Sequence, residues 1–325
     1  MIWLTWRQFR TQATVLLAAV AALAAVLAAT GPRLAQLYDT AGRDLLSRIS
    51  GADQSLYYVG WAVVLAVPAL VGLFWGAPLI ARELEDGTHR LVWNQSVTRA
   101  RWLATKLVFA GLATMIVAGL ASLAVTWWSG PVDRAVGLGG SDASDPFFPR
   151  IDPLVFGARG VVPIGYAAFA FILGVTLGVL FRRTLPAMAV TLAVFAALQV
   201  AMPLVVRPHL ATPVQVTLPF TQVEPTNIGV DAVREVDFGQ PGAWILSQHT
   251  VDASGHRAGL PPSFTGCESF SDCVAVLVGS GYRQQVTYQP AANFWPLQWA
   301  ETGVYLGLTV FLAAFCAWWI RGRLT

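Results

Sequence analysis

Lysine is almost missing from this 325-residue chain: 20 of the 21 basic residues are arginine, and Lys106 stands alone. A Walker A loop, G-x-x-x-x-G-K-[ST], requires a lysine, and Lys106 sits instead in Trp102-Leu103-Ala104-Thr105-Lys106. ATP hydrolysis through a P-loop of its own is therefore excluded, and so is a lysine Schiff base anywhere else. Charge as a whole is scarce, at 12% of residues against roughly 25% in an ordinary globular domain. With 55% hydrophobic residues and a mean hydropathy of +0.57, disorder and an average cytosolic enzyme are both excluded. Catalytic motifs are missing too. The four histidines, His89, His209, His249 and His256, make no H-E-x-x-H, and neither G-x-S-x-G nor G-x-G-x-x-G occurs. His249 and His256 flank Asp252, a grouping that reads as solvated loop residues before it reads as a metal site or triad.

What the sequence does have is long apolar runs. A bilayer core of about 30 Å takes roughly 20 apolar residues in a helix. Six stretches qualify, at 12–30, 57–81, 105–128, 160–181, 184–206 and 299–320. The first is longer than a signal-peptide core of about 7–15 residues, so it is expected to be retained. Pro68, Pro78, Pro186 and Pro203 fall in or near these stretches and veto none of them, because neighbouring helices can satisfy the freed carbonyls. No Asp, Glu, Lys, Arg or His lies in the interior of any stretch, with Lys106 and Glu301 at edges. Proton- and ion-driven carriers rely on intramembrane ionisable groups, so that class is disfavoured. Gly72/Gly76, Gly174/Gly178 and Gly303/Gly307 are G-x-x-x-G pairs, expected to pack helices within the chain or between copies.

Charge sets the expected orientation. With the N-terminus inside, the cytoplasmic side carries eleven basic residues, among them Lys106, Arg182, Arg183, Arg321 and Arg323. Its only acids are Glu83, Glu85 and Asp86, so the inner side is +8 and the outer side −5. The positive-inside rule counts Lys and Arg in short loops, and the Arg182-Arg183 turn and the Arg321/Arg323 tail satisfy it. The expectation is a multi-pass protein of the cytoplasmic (inner) membrane with both termini cytoplasmic. Eight of the 13 tryptophans, Trp3, Trp6, Trp127, Trp128, Trp295, Trp299, Trp318 and Trp319, cluster at the ends of these stretches, where indoles meet headgroups.

The expected fold class is an all-α polytopic membrane protein with six transmembrane helices and a small mixed extracytoplasmic region between helices five and six. Residues 1–206 would hold five helices, a cytoplasmic segment at 82–102 and an N-terminal interfacial helix. Ile2, Trp6 and Phe9 have the helical spacing for that last element, although a plain basic flank is the alternative. Residues 207–298 would form the water-facing region, with strands expected at 213–218 and 273–278. Residues 299–325 would close the chain with the sixth helix and a basic tail. Cys267 and Cys273 lie on the oxidising side, where a disulfide would contribute roughly 2–3 kcal/mol. Two thiols without paired histidines are too few ligands for zinc, so no metal is expected. Cys316 reads as a small buried apolar residue.

One segment carries more. Arg82-Glu83-Leu84-Glu85-Asp86-Gly87-Thr88 leads through Leu91-Val92-Trp93 to Ser96-Val97-Thr98-Arg99, and it holds every acid assigned to the cytoplasm. Gly87 can end a helix in a left-handed conformation and Thr98 can cap the next. Leu91, Val92 and Trp93 form an apolar knuckle beside charges, suited to a partner's groove, though a solvated connecting turn fits equally.

This run, from Arg82-Glu83 through Glu85, Gly87-Thr88 and Leu91 to Ser96-Val97-Thr98-Arg99 and Lys106, resembles the coupling region of ABC-2-type transporter permeases. The Trp/Arg-rich N-terminus, six spans, external insert and basic tail agree. Residues 159–192, with Gly-Val-Val-Pro-Ile-Gly-Tyr and Phe-Arg-Arg-Thr-Leu-Pro-Ala-Met, resemble actinobacterial members. The resemblance implies the membrane half of an exporter, without cofactor in this chain, since ATP and Mg would be bound by a separate ABC ATPase subunit in two copies. It also implies a second permease copy or related permease, a lipid bilayer as surroundings and no nucleic acid. Coupling to the ATPase would fall to Glu83 and Glu85, with Asp86, Gly87, Thr88, Leu91 and Arg99 around them. The external insert is longer than the family's usual cap, so its role does not carry over. A membrane sensor or scaffold with a ligand-binding external region is the alternative.

Overall fold

The computed structural model describes the chain apart from Met1 and residues 86–98, 140–146, 229–232, 262–263, 265–268 and 324–325. Among the described residues, six helices are long and apolar enough to cross a membrane, and a small sheet region lies between the fifth and the sixth. Helix α1 spans Ile2–Ala41. It is unbroken, so the separate interfacial helix expected at residues 1–11 is not set off from it. Helix α2, Gly51–Val71, passes through a π-helical turn at Gly72–Gly76 into α3, Ala77–Glu85. Helix α4 covers Arg99–Gly137, α5 Val162–Phe181 and α6 Thr184–Ala201.

The hydrophobic pattern explains the placement of α5. A helix apolar on every face has no side to offer water, and it belongs in the middle of a bundle. Sixteen of its residues are buried, from Val162 to Val179. It touches α2, α3, α4, α6 and the last helix, α8 (Phe294–Arg323). Helix α1 lies outside and packs on α4. Exposed leucines and valines on α1, α4 and α6, such as Val15, Leu123 and Val200, then face what would be lipid.

Closest approach occurs between the α2–α3 turn and α5. A Cβ on Gly76 would stand 2.4 Å from the Phe171 carbonyl oxygen, and one on Gly174 would stand 2.4 Å from that of Gly72. Gly72 and Gly178 are equally confined, against the carbonyls of Ala170 and Ala77. The two backbones meet directly, which is the contact that small residues permit between membrane helices. The π turn sits at this contact, where an extra residue in the turn shifts the helix face. Gly303 and Gly307 make no such approach, since a Cβ on either meets nothing within 4 Å. Close packing within the chain at that pair is therefore not found among the described residues.

Between α6 and α8 the chain forms β1 (Val214–Pro219), β2 (Glu224–Ile228), β3 (Val233–Asp237), β4 (Trp244–Val251) and β5 (Arg283–Gln289). The first, fourth and fifth make an antiparallel sheet in the order β1-β5-β4, and β2-β3 form a separate hairpin. The strand expected at 213–218 is β1, but 273–278 belongs to helix α7, Phe270–Gly279. Ser269 accepts a hydrogen bond from the Asp272 N–H at 3.2 Å and donates to its carboxylate at 2.6 Å. That N-cap starts a helix which the β-branched residues alone would not. Leu277 then fills a small core with Phe220, Val236 and Val286. Cys273 is disulfide-bonded and Cys316 is a buried free thiol. Cys267 lies outside the described residues.

Valine at Gly76 would force two backbones apart. Gly76→Val should lower the midpoint of thermal unfolding in detergent, by overpacking of roughly 1–3 kcal/mol, whereas Gly303→Ala should leave it unchanged. Equal midpoints for the two variants would contradict the contact.

Candidate functional site

Glu83 and Glu85 fall on the last turn of α3, at the end of the bundle opposite the sheets. The carboxylate of Glu83 accepts from the Lys106 ammonium on the second turn of α4. Lys106 is only 4% exposed and lies over the Trp102 ring, 4.7 Å from its centroid, and Trp102 is buried as well. A lone ammonium in an apolar bundle is costly unless it is paired, and here it has both a carboxylate and an aromatic face.

Glu85 points the other way. Its Oε2 accepts from the Thr184 N–H at 3.1 Å and from the Thr184 hydroxyl at 2.9 Å. Thr184 opens α6, and Arg183, the residue before it, supplies no side-chain cap. The carboxylate therefore does from another helix what an N-cap residue ordinarily does locally, and its charge suits the positive end of the helix dipole. The preceding turn is tight: Arg182 takes φ 54°, and its N–H bonds the Gly178 carbonyl at 3.0 Å to close α5. One helical turn of α3 thus holds α4 through Glu83 and α6 through Glu85.

Of the other residues expected to act with these two, Asp86, Gly87, Thr88 and Leu91 lie outside the described residues. Arg99 is the first residue of α4. Lys106 lies in the run that resembles a coupling region, but its pairing with Glu83 is not expected from the sequence, nor are Trp102 and Thr184 as parts of the site. A single lysine flanked by apolar sequence was the available signal, since its charge demands a partner.

The sheet-bearing end has its own polar framework. Arg207 donates to Glu301 from Nε at 2.7 Å and from Nη2 at 3.1 Å, with both residues fully buried. Tyr166 donates to the same carboxylate at 2.5 Å, and the guanidinium lies 4.2 Å from the Phe156 ring centroid. Gln298 accepts from the N–H groups of Val161 and Val162 at 2.9 and 3.0 Å, satisfying the orphan donors at the start of α5. Glu301 is near the start of α8, as the sequence suggests, and it is fully buried there. Nearby, burial raises the pKa of Asp152, partly offset by the Leu154 N–H that it accepts at 2.9 Å.

Among the described residues of the sheet region, the histidines and Asp252 make no catalytic arrangement. Asp252 accepts from the Ser254 hydroxyl at 2.6 Å and from the His256 N–H at 3.0 Å, and these bonds hold its carboxyl below the usual range. This is an exposed turn stabilised by its own side chains. Burial, followed by the charge of Arg257, lowers the pKa of His249. No group of three or more His, Cys, Asp or Glu residues suited to a metal occurs among the described residues.

Removing one member of the Glu83–Lys106 pair leaves a charge in a buried place. Lys106→Met should destabilise the protein by roughly 3–5 kcal/mol, and Glu83→Gln added to it should restore most of the loss. Thermal unfolding of the single and double variants measures this. Losses that simply add would mean the pair is not coupled.

No curated protein and no solved structure matches the chain. A family model described as ABC-2 membrane transporter related matches residues 17–207, more than half of the chain and all of the first five spans beyond the opening of α1.

Proposed function

The chain belongs to the ABC-2 membrane transporter related family, and from that premise we propose that it is the permease subunit of an ATP-binding-cassette exporter. The motor is a separate ATPase subunit, in keeping with a chain whose only lysine is committed to an ion pair with Glu83. Two six-span permeases, identical or related, join two such subunits in the cytoplasmic membrane, with both termini and the end of α3 on the cytoplasmic side. The sheet region is then outside, where Cys267 is the partner of Cys273. ATP and Mg are bound by the partner subunit.

The observation that carries this reading is the double grip of the last turn of α3. A push on the segment that follows Glu85 reaches α4 through the Glu83–Lys106 pair and α6 through the Glu85 cap on Thr184. Packed helices move as rigid bodies, so such a push would tilt the bundle around α5 between inward- and outward-facing states. Coupling therefore falls to Glu83 and Glu85, with Asp86, Gly87, Thr88, Leu91 and Arg99 forming the surface that meets the ATPase.

An ATPase subunit should co-purify with the chain at native expression, and reconstitution with the chain should raise its ATP hydrolysis. Glu85→Lys should abolish that stimulation while leaving membrane insertion and span topology intact. If the variant stimulates as the wild type does, the coupling role is wrong. A chain that purifies alone, without any ATPase, would favour a membrane sensor or scaffold.

A further inference from the structure

At the sheet-bearing end, α1 and α4 border a cleft of about 640 Å³ lined by Tyr38, Trp127, Asp133, Arg134 and Arg150. Arg134 lies over the Tyr38 ring at 4.6 Å, and its Nε donates to the Gly130 carbonyl at 3.3 Å. Arg150 lies over the Phe294 ring, also at 4.6 Å. Neither guanidinium has a carboxylate partner among the described residues. The one acid in the wall is already matched, because Arg159 Nε stands 3.5 Å from Asp133 Oδ2 and is itself fully buried. Among the described residues the cleft thus presents two guanidinium groups outside any ion pair, each lying over an aromatic face.

A second cavity, of about 530 Å³, continues along the same two helices on the face that would meet lipid. Its walls are Leu17, Val20, Leu27, Leu120 and Leu123, with alanines between them. Trp127 lines both cavities, and its indole lies against Gly31, where a Cβ would come within 2.6 Å of the ring. A basic, aromatic cleft and an apolar slot between the same two helices thus share Trp127 as a common wall.

We propose that this composite site binds an anionic glycerophospholipid, with the phosphate-bearing headgroup between Arg134 and Arg150 and one acyl chain past Trp127 into the slot. Guanidinium groups fit phosphate oxygens in a planar, bidentate manner, and aromatic stacking orients them before the ligand arrives. The slot supplies apolar contact without a single charged group. As the class of molecule that is exported, this lipid rests on the transport reading above; as a bound ligand it does not.

Native mass spectrometry of the purified full chain tests binding without any ATPase, so a failure of coupling cannot imitate a failure of the site. The probes are phosphatidylglycerol and phosphatidylcholine with identical acyl chains. The wild type should retain the anionic lipid over the zwitterionic one by about tenfold, the scale of a single charge-assisted contact. Arg134→Gln with Arg150→Gln should erase the preference, and Arg257→Gln, on the exposed sheet region, should keep it. Ala24→Trp, which fills the slot, should reduce retention of both lipids while leaving their ratio unchanged. Glycerol phosphate, a headgroup without a chain, should not displace the lipid. Equal retention of the two lipids by the wild type would overturn the proposal. So would an undiminished preference in the double arginine variant, full retention in Ala24→Trp, or displacement by glycerol phosphate.

Discussion

A charge inside an apolar helix bundle has to find its counter-charge in the same bundle, and that constraint organises this protein. Among the described residues four ion pairs do so, and each joins parts of the chain that the sequence keeps apart. Arg33 on α1 pairs with Asp53 on α2 at 2.5 Å, and Glu83 on α3 pairs with Lys106 on α4. Asp133 on α4 meets Arg159 just before α5, and Arg207 beyond α6 meets Glu301 on α8. Desolvation makes such pairs weak evidence for net stability, but it makes their disruption expensive, so they fix which helix ends lie together. All four sit near helix ends. The helix middles stay free of charge.

Between those pinned ends the bundle relies on shape. The glycines at 72, 76, 174 and 178 bring the α2–α3 turn and α5 to backbone contact, the tightest packing among the described helices. A rigid centre with polar ties at both ends transmits displacement from end to end instead of absorbing it locally. The Glu83 and Glu85 contacts at one end and the Arg207–Glu301–Tyr166 network at the other are therefore parts of one mechanical unit through α5, which touches α3, α4, α6 and α8.

Much of this was legible in the sequence because bilayer thickness and side-chain transfer energies leave few choices. Six apolar runs became six helices, and the Pro-, Gly- and Thr-rich stretch after residue 207 became the sheet region. Helix ends were harder to place. Helix α1 continues to Ala41 and α4 to Gly137 because amphipathic turns beyond the apolar runs find packing partners, such as Leu34 and Val132 in the main core. Residues 273–278 read as a strand by composition and fold within helix α7, because Ser269 and Asp272 cap it. Pairing across long separations left no local trace: Arg207 and Glu301 are 94 positions apart in the chain, and Glu85 and Thr184 are 99. The two acids on α3 could be singled out from sequence, but not the helices they hold.

In the proposed function the last turn of α3 is the point through which an ATPase partner drives the bundle, and the Glu83–Lys106 pair is part of the linkage. The most direct measurement is ATP hydrolysis by the reconstituted assembly with Glu83→Lys, with Lys106→Glu, and with both. Each single reversal should remove stimulation by the permease, and the double variant, which restores opposite charges across α3 and α4, should recover a substantial part of it. Stimulation that survives both single reversals, or that stays lost in a double variant which is folded and inserted, would contradict the account.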